Sequence, residues 1–262
     1  MFEFKEKYNI DDLLKVMTVL RSENGCVWDR EQDHKSIRKD VLEEAYEVAE
    51  AIDSENSDLL KEELGDLLLQ VVFHTEIERE KDNFSFDDVC DGICKKMIYR
   101  HPHVFGEVKV NTSDDVLKNW DKLKSESKGE EKASDRLMSV PKLLPALMRG
   151  EKVGKRASNA GLDFACTEDV IACLKSEISE LETAIEGKND AEIEEELGDV
   201  LFSCCNLARF LKKDSEKALT FAINKFIMRF REVETLAEKQ GGVLEEMSAE
   251  ALDELWKQAK NS

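Results

Sequence analysis

Residues 41–73 read VLEEAYEVAEAIDSENSDLLKEELGDLLLQVVF and contain two segments with the residue spacing of helices. Each segment carries two carboxylates three residues apart, first Glu44 and Glu47, then Glu63 and Asp66. Residues i and i+3 are neighbours on one face of a helix. The residues between the two pairs are enough to end one helix, turn at 53–58 and begin an antiparallel partner. The stretch therefore predicts a helical hairpin on which four carboxylates converge.

The same arrangement returns in the second half of the chain. Its carboxylates are Glu177, Glu180, Glu196 and Asp199, each displaced by 133 positions from its counterpart (for example 199 − 66 = 133). Later landmarks return in the same order: Lys96 and Arg100 as Lys225 and Arg229, and Trp120 as Trp256. Agreement in order, spacing and residue type indicates a tandem duplication. We expect an N-terminal helical domain over 1–125, a polar linker over 126–139 and a C-terminal helical domain over 140–262.

The composition favours an all-α protein built from helical bundles. Pro (3) and Gly (12) are scarce among the 262 residues, and period-two alternation typical of strands is hard to find. The net charge is −20, which makes duplex nucleic acid and anionic membranes improbable partners, because both require Lys and Arg to replace counterions. Seven cysteines without a CxxC pair, no apolar signal region and no long apolar run predict a soluble, cytoplasmic protein.

The converging carboxylates indicate a divalent cation. Four like charges in a partly buried bundle repel one another, and a cation removes that cost. Hard oxygen ligands suit Mg²⁺, with Mn²⁺ as a substitute. Mg²⁺ in turn suggests a phosphorylated substrate, since the ion can bridge phosphate oxygens and activate a water.

The alternative to a metal site is that these carboxylates simply lie on a solvated helix face. Acidic residues at i, i+3 and i+4 are common on solvated helix faces, and the chain has 58 of them. Two features favour a site. The segments EELGD (62–66) and EEELGD (194–199) run directly into apolar helices, where unpaired acids are poorly tolerated. The whole arrangement also recurs at one spacing in both halves.

The ordered motifs resemble the all-α nucleoside triphosphate pyrophosphohydrolases, and their tandem occurrence over essentially the whole chain is similar to the MazG family. EExxE followed by ExxD is the signature of these enzymes, and EExxE alone is a weak signal. The segments that carry the resemblance are ENGCVWDREQ (23–32), EEAYE (43–47), EELGD (62–66), RHPHVF (100–105), LPALMR (144–149), SEISE (176–180), EEELGD (194–199) and NKFIMRFREVE (224–234).

The resemblance implies Mg²⁺-dependent hydrolysis of an NTP or dNTP between the α- and β-phosphates, giving a nucleoside monophosphate and pyrophosphate. We expect a homodimer, because a unit of four or five helices leaves one flank of the carboxylate pair uncovered and a symmetric partner would cover it. The implied metal ligands are Glu44, Glu47, Glu63 and Asp66, and then Glu177, Glu180, Glu196 and Asp199. Glu62 and Glu195 are candidates for orienting or deprotonating the attacking water. The triphosphate would contact Lys96 and Arg100, or Lys225 and Arg229. Trp120 and Trp256 are candidates for stacking on the base, although packing is the plain alternative for each tryptophan.

The sequence departs from the family pattern in two places. Ser176 takes the first position of EExxE in the second half, and Val27 replaces the proline of GCPWD. Ser176 does not replace any of the implied ligands. It does make equal activity of the two domains doubtful, and we favour the C-terminal domain as the main catalyst.

Three other functions fit parts of the sequence. A di-iron carboxylate bundle needs two Glu-x-x-His helices, and only Glu31–His34 fits. A non-catalytic acidic scaffold would tolerate loss of Glu63 or Glu196. An enzyme specific for dUTP or dCTP is a narrower relative that the sequence does not distinguish.

Overall fold

The computed structural model describes residues 3–127, 129 and 132–261, and every regular element in those residues is a helix. The all-α prediction is therefore confirmed. The α-helices are α1 (Ile10–Arg21), α2 (Val27–Glu31), α3 (Arg38–Asp53), α4 (Ser57–Arg79), α5 (Phe86–Arg100), α6 (Pro102–Phe105), α7 (Ser113–Ser127), α8 (Ala133–Met138), α9 (Ala146–Asn159), α10 (Thr167–Gly187), α11 (Asp190–Phe210), α12 (Ser215–Lys239) and α13 (Ala249–Asn261), with a 3₁₀ helix at Leu244–Glu246. Among the described residues no helix is long and apolar enough to cross a membrane.

The chain forms two compact units, Met1–Lys124 and Ser125–Ser262. The stretch that we expected to be a polar linker, 126–139, contains α8, which packs against α9 in the second unit. The domain boundaries themselves stay a prediction.

The first unit is organised around the hairpin of α3 and α4. Asn56 caps α4 by accepting hydrogen bonds from the backbone of Asp58 and Leu59, which fixes the turn between the two helices. α1 packs on α4 and buries Met17 against Val72 and Phe73. The core of this unit therefore lies beside the second half of α4, and the first half of the helix is left for the carboxylates.

A buried arginine joins three segments of this unit. Arg21, at the end of α1, donates two hydrogen bonds of 2.8 Å to the carboxylate of Glu80, which follows α4. It also donates to the backbone carbonyls of Asp29 and Gln32, so α2 is held against the same helices. A bidentate arginine–carboxylate pair of this kind adds geometric specificity as well as energy.

The second unit is organised around the hairpin of α10 and α11, with α9 packed on α11. α12 and α13 form a separate layer whose core is Val233, Ala237, Leu255 and Ala259. Arg209 on α11 donates hydrogen bonds of 3.0 and 2.5 Å to Asp163, in the connection between α9 and α10. In each unit a bidentate arginine–carboxylate pair thus joins the segment before the hairpin to the end of the hairpin's second helix.

Candidate metal centres on the two helical hairpins

The first hairpin brings three of the four predicted ligands together. Glu44 lies on α3, whereas Glu63 and Asp66 lie one turn apart on α4. One carboxylate oxygen from each lies within 4.8 Å of the other two. Three oxygens at this separation match the hard-ligand chemistry of Mg²⁺ or Mn²⁺. Glu47, the fourth predicted ligand, is exposed and lies outside this group.

The electrostatics of this group favour a bound cation. Partial burial raises the pKa of Glu44, and the charges of Asp66, Glu47 and Glu63 raise it further. The pKa of Glu63 is raised by desolvation and then by the charge of Glu47. Both shifts report the cost of holding ionised carboxylates together, a cost that a divalent cation offsets.

The second hairpin repeats the arrangement with Glu177 on α10 and with Glu196 and Asp199 on α11. Their carboxylate oxygens also lie within 4.8 Å of one another. Desolvation raises the pKa of Glu196, and the next cause is the charge of Glu180. The two duplicated helix pairs therefore present the same donor set.

Glu180 has the same position relative to the second group as Glu47 has to the first. It is exposed, lies outside the three-carboxylate group and accepts a hydrogen bond of 2.9 Å from the Ser176 hydroxyl. Ser176, which replaces the first glutamate of EExxE, thus donates a hydrogen bond to one of the predicted ligands. Glu177 in turn accepts a long contact of 3.5 Å from the thiol of Cys173.

Glu62 and Glu195, the candidate bases, are exposed and adjacent in sequence to Glu63 and Glu196. Each raises the pKa of its neighbour through its charge. Both carboxylates are therefore open to solvent.

The apolar surroundings of these groups differ from our expectation of a buried setting. Leu64 in the first unit and Leu201 in the second are 49% and 51% exposed. Gly65 and Gly198 each lie between the ligands of a hairpin, and a Cβ at either position would meet no atom within 4 Å. The helix faces beside the carboxylates are therefore open within each unit. The buried core lies beside the later part of α4 and does not reach these faces.

The predicted substrate residues differ between the units. Lys96 is exposed on α5, whereas Arg100 is buried with its guanidinium 5.4 Å from the centre of the Trp120 ring. His101 contacts the same tryptophan edge-on, with ring centres 4.9 Å apart. Trp120 is thus engaged by two neighbours on its own unit.

In the second unit, Lys225 is exposed and Arg229 is half-buried, and both lie on α12. Phe226 lies between them in sequence and contacts Trp256 with ring centres 5.1 Å apart. Trp256 also lines a pocket between α12, the 3₁₀ helix and α13. The structure does not bring these residues into the three-carboxylate group; they occupy a neighbouring layer of the same unit.

Sequence reasoning missed two features. One is the aromatic and acidic lining of this pocket. The sequence does carry a signal for it, because Phe226, Phe230 and Glu234 recur at every fourth residue and so share one helix face. A histidine pair in the first unit was also missed: His34 Nδ1 lies 2.7 Å from His74 Nδ1, and His34 Nε2 lies 2.5 Å from Glu78. No sequence signal joins residues 40 positions apart in this way.

The model of the MazG nucleotide pyrophosphohydrolase domain matches the chain twice, over residues 32–105 and 166–234. Each match contains one complete three-carboxylate group.

Three relatives cover nearly all of the chain. The chain is 45% identical over 250 residues to "Nucleoside triphosphate pyrophosphohydrolase/pyrophosphatase MazG" of Thermotoga maritima, which covers 95% of both chains. It is 42% identical over 254 residues to a nucleoside triphosphate pyrophosphohydrolase of Escherichia coli K12, covering 96% of this chain and 97% of that one. It is also 42% identical to the uncharacterized protein YabN of Bacillus subtilis, over 94% of this chain and 50% of that protein.

Proposed function

Because this chain belongs to the MazG nucleotide pyrophosphohydrolase family, we propose that it hydrolyses nucleoside and deoxynucleoside triphosphates between the α- and β-phosphates. Water adds to a phosphorus atom beside the α–β bridging oxygen, the bridging P–O bond breaks, and the products are a nucleoside monophosphate and pyrophosphate. The observation that carries the proposal is the three-carboxylate group, present once in each matched domain.

We propose Mg²⁺ as the cofactor, with Mn²⁺ as a substitute. When bound, the ion would neutralise phosphate charge and lower the pKa of a water. Glu177, Glu196 and Asp199 would hold it in the second unit, and Glu44, Glu63 and Asp66 in the first. Glu180 and Glu47 lie close enough to shift the pKa of these ligands and complete the proposed sets.

The remaining roles follow from position. The carboxylate of Glu195, next to Glu196, would accept the proton of the attacking water, and Glu62 would do so in the first unit. Lys225 and Arg229 lie four residues apart on one face of α12 and would bind the triphosphate. Lys96 and Arg100 are their counterparts. Trp256 would stack on the base, because one side of it opens to a pocket.

The second unit is the proposed main catalyst. In the first unit the guanidinium of Arg100 lies over the Trp120 ring, so the counterparts of a phosphate ligand and a base platform contact each other. In the second unit Trp256 contacts Phe226 and lines the pocket instead. This difference supports base binding at the second unit and a mainly structural first unit.

We propose that the protein is a homodimer. Large apolar side chains are exposed on the hairpin and on α12 of the second unit, among them Leu201, Phe226 and Met228 at 51%, 56% and 62%. Exposed apolar surface of this kind typically marks an interaction site, and a symmetric partner would cover it.

A cytoplasmic role in controlling the nucleotide pool agrees with these features. All seven cysteines are free thiols, as expected in a reducing compartment. The net charge of −20 makes duplex nucleic acid an improbable partner.

Product analysis tests the proposal. The purified chain is incubated with Mg²⁺ and each of the common NTPs and dNTPs, and the products are separated by anion exchange. We expect nucleoside monophosphate and pyrophosphate in equal amounts, with no turnover in EDTA. Formation of a nucleoside diphosphate and phosphate, or an absence of turnover with every nucleotide, would contradict the proposal.

A further inference from the structure

The pocket of the second unit has a volume of about 550 Å³ and combines an aromatic wall with an acidic rim. Phe226, Phe230 and Trp256 supply aromatic rings, while Glu234, Glu245 and Asp253 supply carboxylates. Its size falls within the range of pockets that bind small ligands. Phe226, Phe230 and Glu234 are spaced by four residues on α12, so one stripe of this helix presents two rings and then a carboxylate.

Two of the three carboxylates are available to a ligand. Asp253 forms an ion pair of 2.6 Å with Lys257 on α13. Glu234 and Glu245 are exposed, and neither has a hydrogen bond or an ion pair with any residue that the structure describes. An ionised carboxylate only accepts hydrogen bonds. The pocket therefore favours a flat ligand whose edge carries N–H donors.

Nucleobases differ in the number and arrangement of the N–H donors on their edges. Guanine presents two adjacent donors, N1–H and the 2-amino group, and one carboxylate can accept both. Uracil and thymine present a single N–H between two carbonyl oxygens, which a carboxylate repels. In adenine and cytosine the amino group stands beside a ring nitrogen that is itself an acceptor. The match between carboxylate and base edge is best for guanine.

We propose that Glu234 and Glu245 select guanine nucleotides by accepting hydrogen bonds from the guanine edge while the base stacks on Trp256. This inference rests on the proposed function, since it assigns the base of the same substrate whose triphosphate would lie near Lys225 and Arg229. Both cationic residues are sequence neighbours of pocket aromatics, Phe226 and Phe230, so α12 presents phosphate-binding and base-binding side chains together.

The first unit lacks the corresponding acid on its helix. Arg100 and Arg229 are counterparts 129 positions apart (229 − 100 = 129), and the same displacement places Phe105 opposite Glu234 (234 − 129 = 105). α5 ends at Arg100, before Pro102, whereas α12 continues to Lys239 and carries Glu234 on a regular turn. The acidic side chain that continues the aromatic stripe thus belongs to α12 alone.

The experiment measures equilibrium binding of the full-length protein by calorimetry with Mg²⁺. The probes are the α,β-methylene analogues of GTP, ITP and UTP, which carry the same phosphate charge and resist hydrolysis. We expect the GTP analogue to bind at least about tenfold more tightly than the UTP analogue, with the ITP analogue between them because it lacks the 2-amino group. In the E234Q/E245Q double variant the GTP and UTP analogues should bind within about twofold of each other.

The matched control is the E238Q/E246Q double variant, which removes the same number of charges at exposed positions outside the pocket. It should keep the preference for guanine. Equal binding of the GTP and UTP analogues to the unmodified protein, no binding of either, or an unchanged preference in the double variant would overturn the inference.

Hydrolysis of natural GTP and UTP, measured separately, distinguishes this inference from the proposed function. Turnover of both nucleotides to monophosphate and pyrophosphate with equal binding would overturn only the guanine selection. Selective binding of the GTP analogue without release of pyrophosphate would support the pocket and contradict the proposed reaction.

Discussion

The guanidinium of Arg100 lies over the ring of Trp120, 5.4 Å from its centre, in a unit that otherwise repeats the organisation of the second one. The corresponding Trp256 has Phe226 beside it at 5.1 Å and lines a pocket. The two corresponding tryptophans thus have different neighbours, an arginine in the first unit and a phenylalanine in the second. This difference supports the proposal that the duplicated domains have different roles.

Replacement of each tryptophan by alanine tests whether only the second unit binds the base. We expect Trp256→Ala to raise KM for the preferred nucleotide by about 5- to 150-fold, because stacking on an aromatic side chain contributes about 1–3 kcal/mol per base. Trp120→Ala is the control and should leave KM within about twofold. Steady-state kinetics check both variants, and Trp256→Phe should restore part of the loss. A larger effect from Trp120 would assign the base site to the first unit.

Replacement of one ligand in each hairpin identifies the catalytic unit. Glu196→Gln should lower kcat/KM by at least about 100-fold, since even neighbours of metal ligands cost 10- to 100-fold when replaced. Glu63→Gln makes the same change in the first unit and should leave most of the activity. Pyrophosphate release provides the assay. Full activity in both variants would instead favour an acidic scaffold without catalysis.

The raised pKa of Glu196 predicts how metal and pH act together on stability. The unfolded carboxyl titrates near 4.5, and burial with like charges raises the pKa in the folded protein. The folded state therefore holds the extra proton, and the metal-free protein loses stability as pH rises from about 4.5 through the folded pKa.

Thermal melts between pH 5 and pH 7.5 measure this effect. Mg²⁺ should raise Tm more at pH 7.5 than at pH 5, because the ligands must be ionised. Without metal, Glu196→Gln should melt above the unmodified protein at pH 7.5. Its response to Mg²⁺ should be smaller, because only the first hairpin keeps its three-carboxylate group. Glu192→Gln removes an exposed charge from the first turn of α11 and controls for net charge. An equal Mg²⁺ response in Glu196→Gln would contradict a metal site at this hairpin.

The histidine pair of the first unit predicts a second pH dependence. Burial lowers the pKa of His74, and the charge of His34 lowers it further. Below about pH 6.5 the unfolded state gains a proton that folded His74 does not take, so stability falls as pH decreases through this window. Denaturant titrations at pH 5.5 and 7.5 should show a smaller difference in His74→Gln. An unchanged difference would mean that other groups control stability in this range.

Gly198 separates stability from activity. Alanine at this helical position should stabilise the protein by about 1 kcal/mol, because glycine costs that much inside a helix and a Cβ meets no atom within 4 Å. Residues one or two positions apart on a helix do not share a face, so the added methyl group would stand away from Glu196 and Asp199, and activity should change by less than about twofold. Gly92→Ala on α5 has equal space and should give a similar gain in stability. A large loss of activity in a stable Gly198→Ala variant would show that the substrate or a partner approaches this face.

The sequence by itself determined the secondary structure and the duplication. Helical periodicity and capping are local, so the all-α fold was predicted correctly, and carboxylates three residues apart must share a helix face. The family was also correctly identified, because its motifs keep a fixed order and spacing. The individual roles of the site residues stay predictions.

Only the tertiary structure decided which side chains meet. It joins Glu44, Glu63 and Asp66 but leaves Glu47 outside, because the crossing of α3 and α4, and not the spacing along either helix, fixes the distance between carboxylates. It also pairs His34 with His74 and places Arg100 over Trp120. These contacts join separate segments of the chain, and packing selects them after the helices have formed.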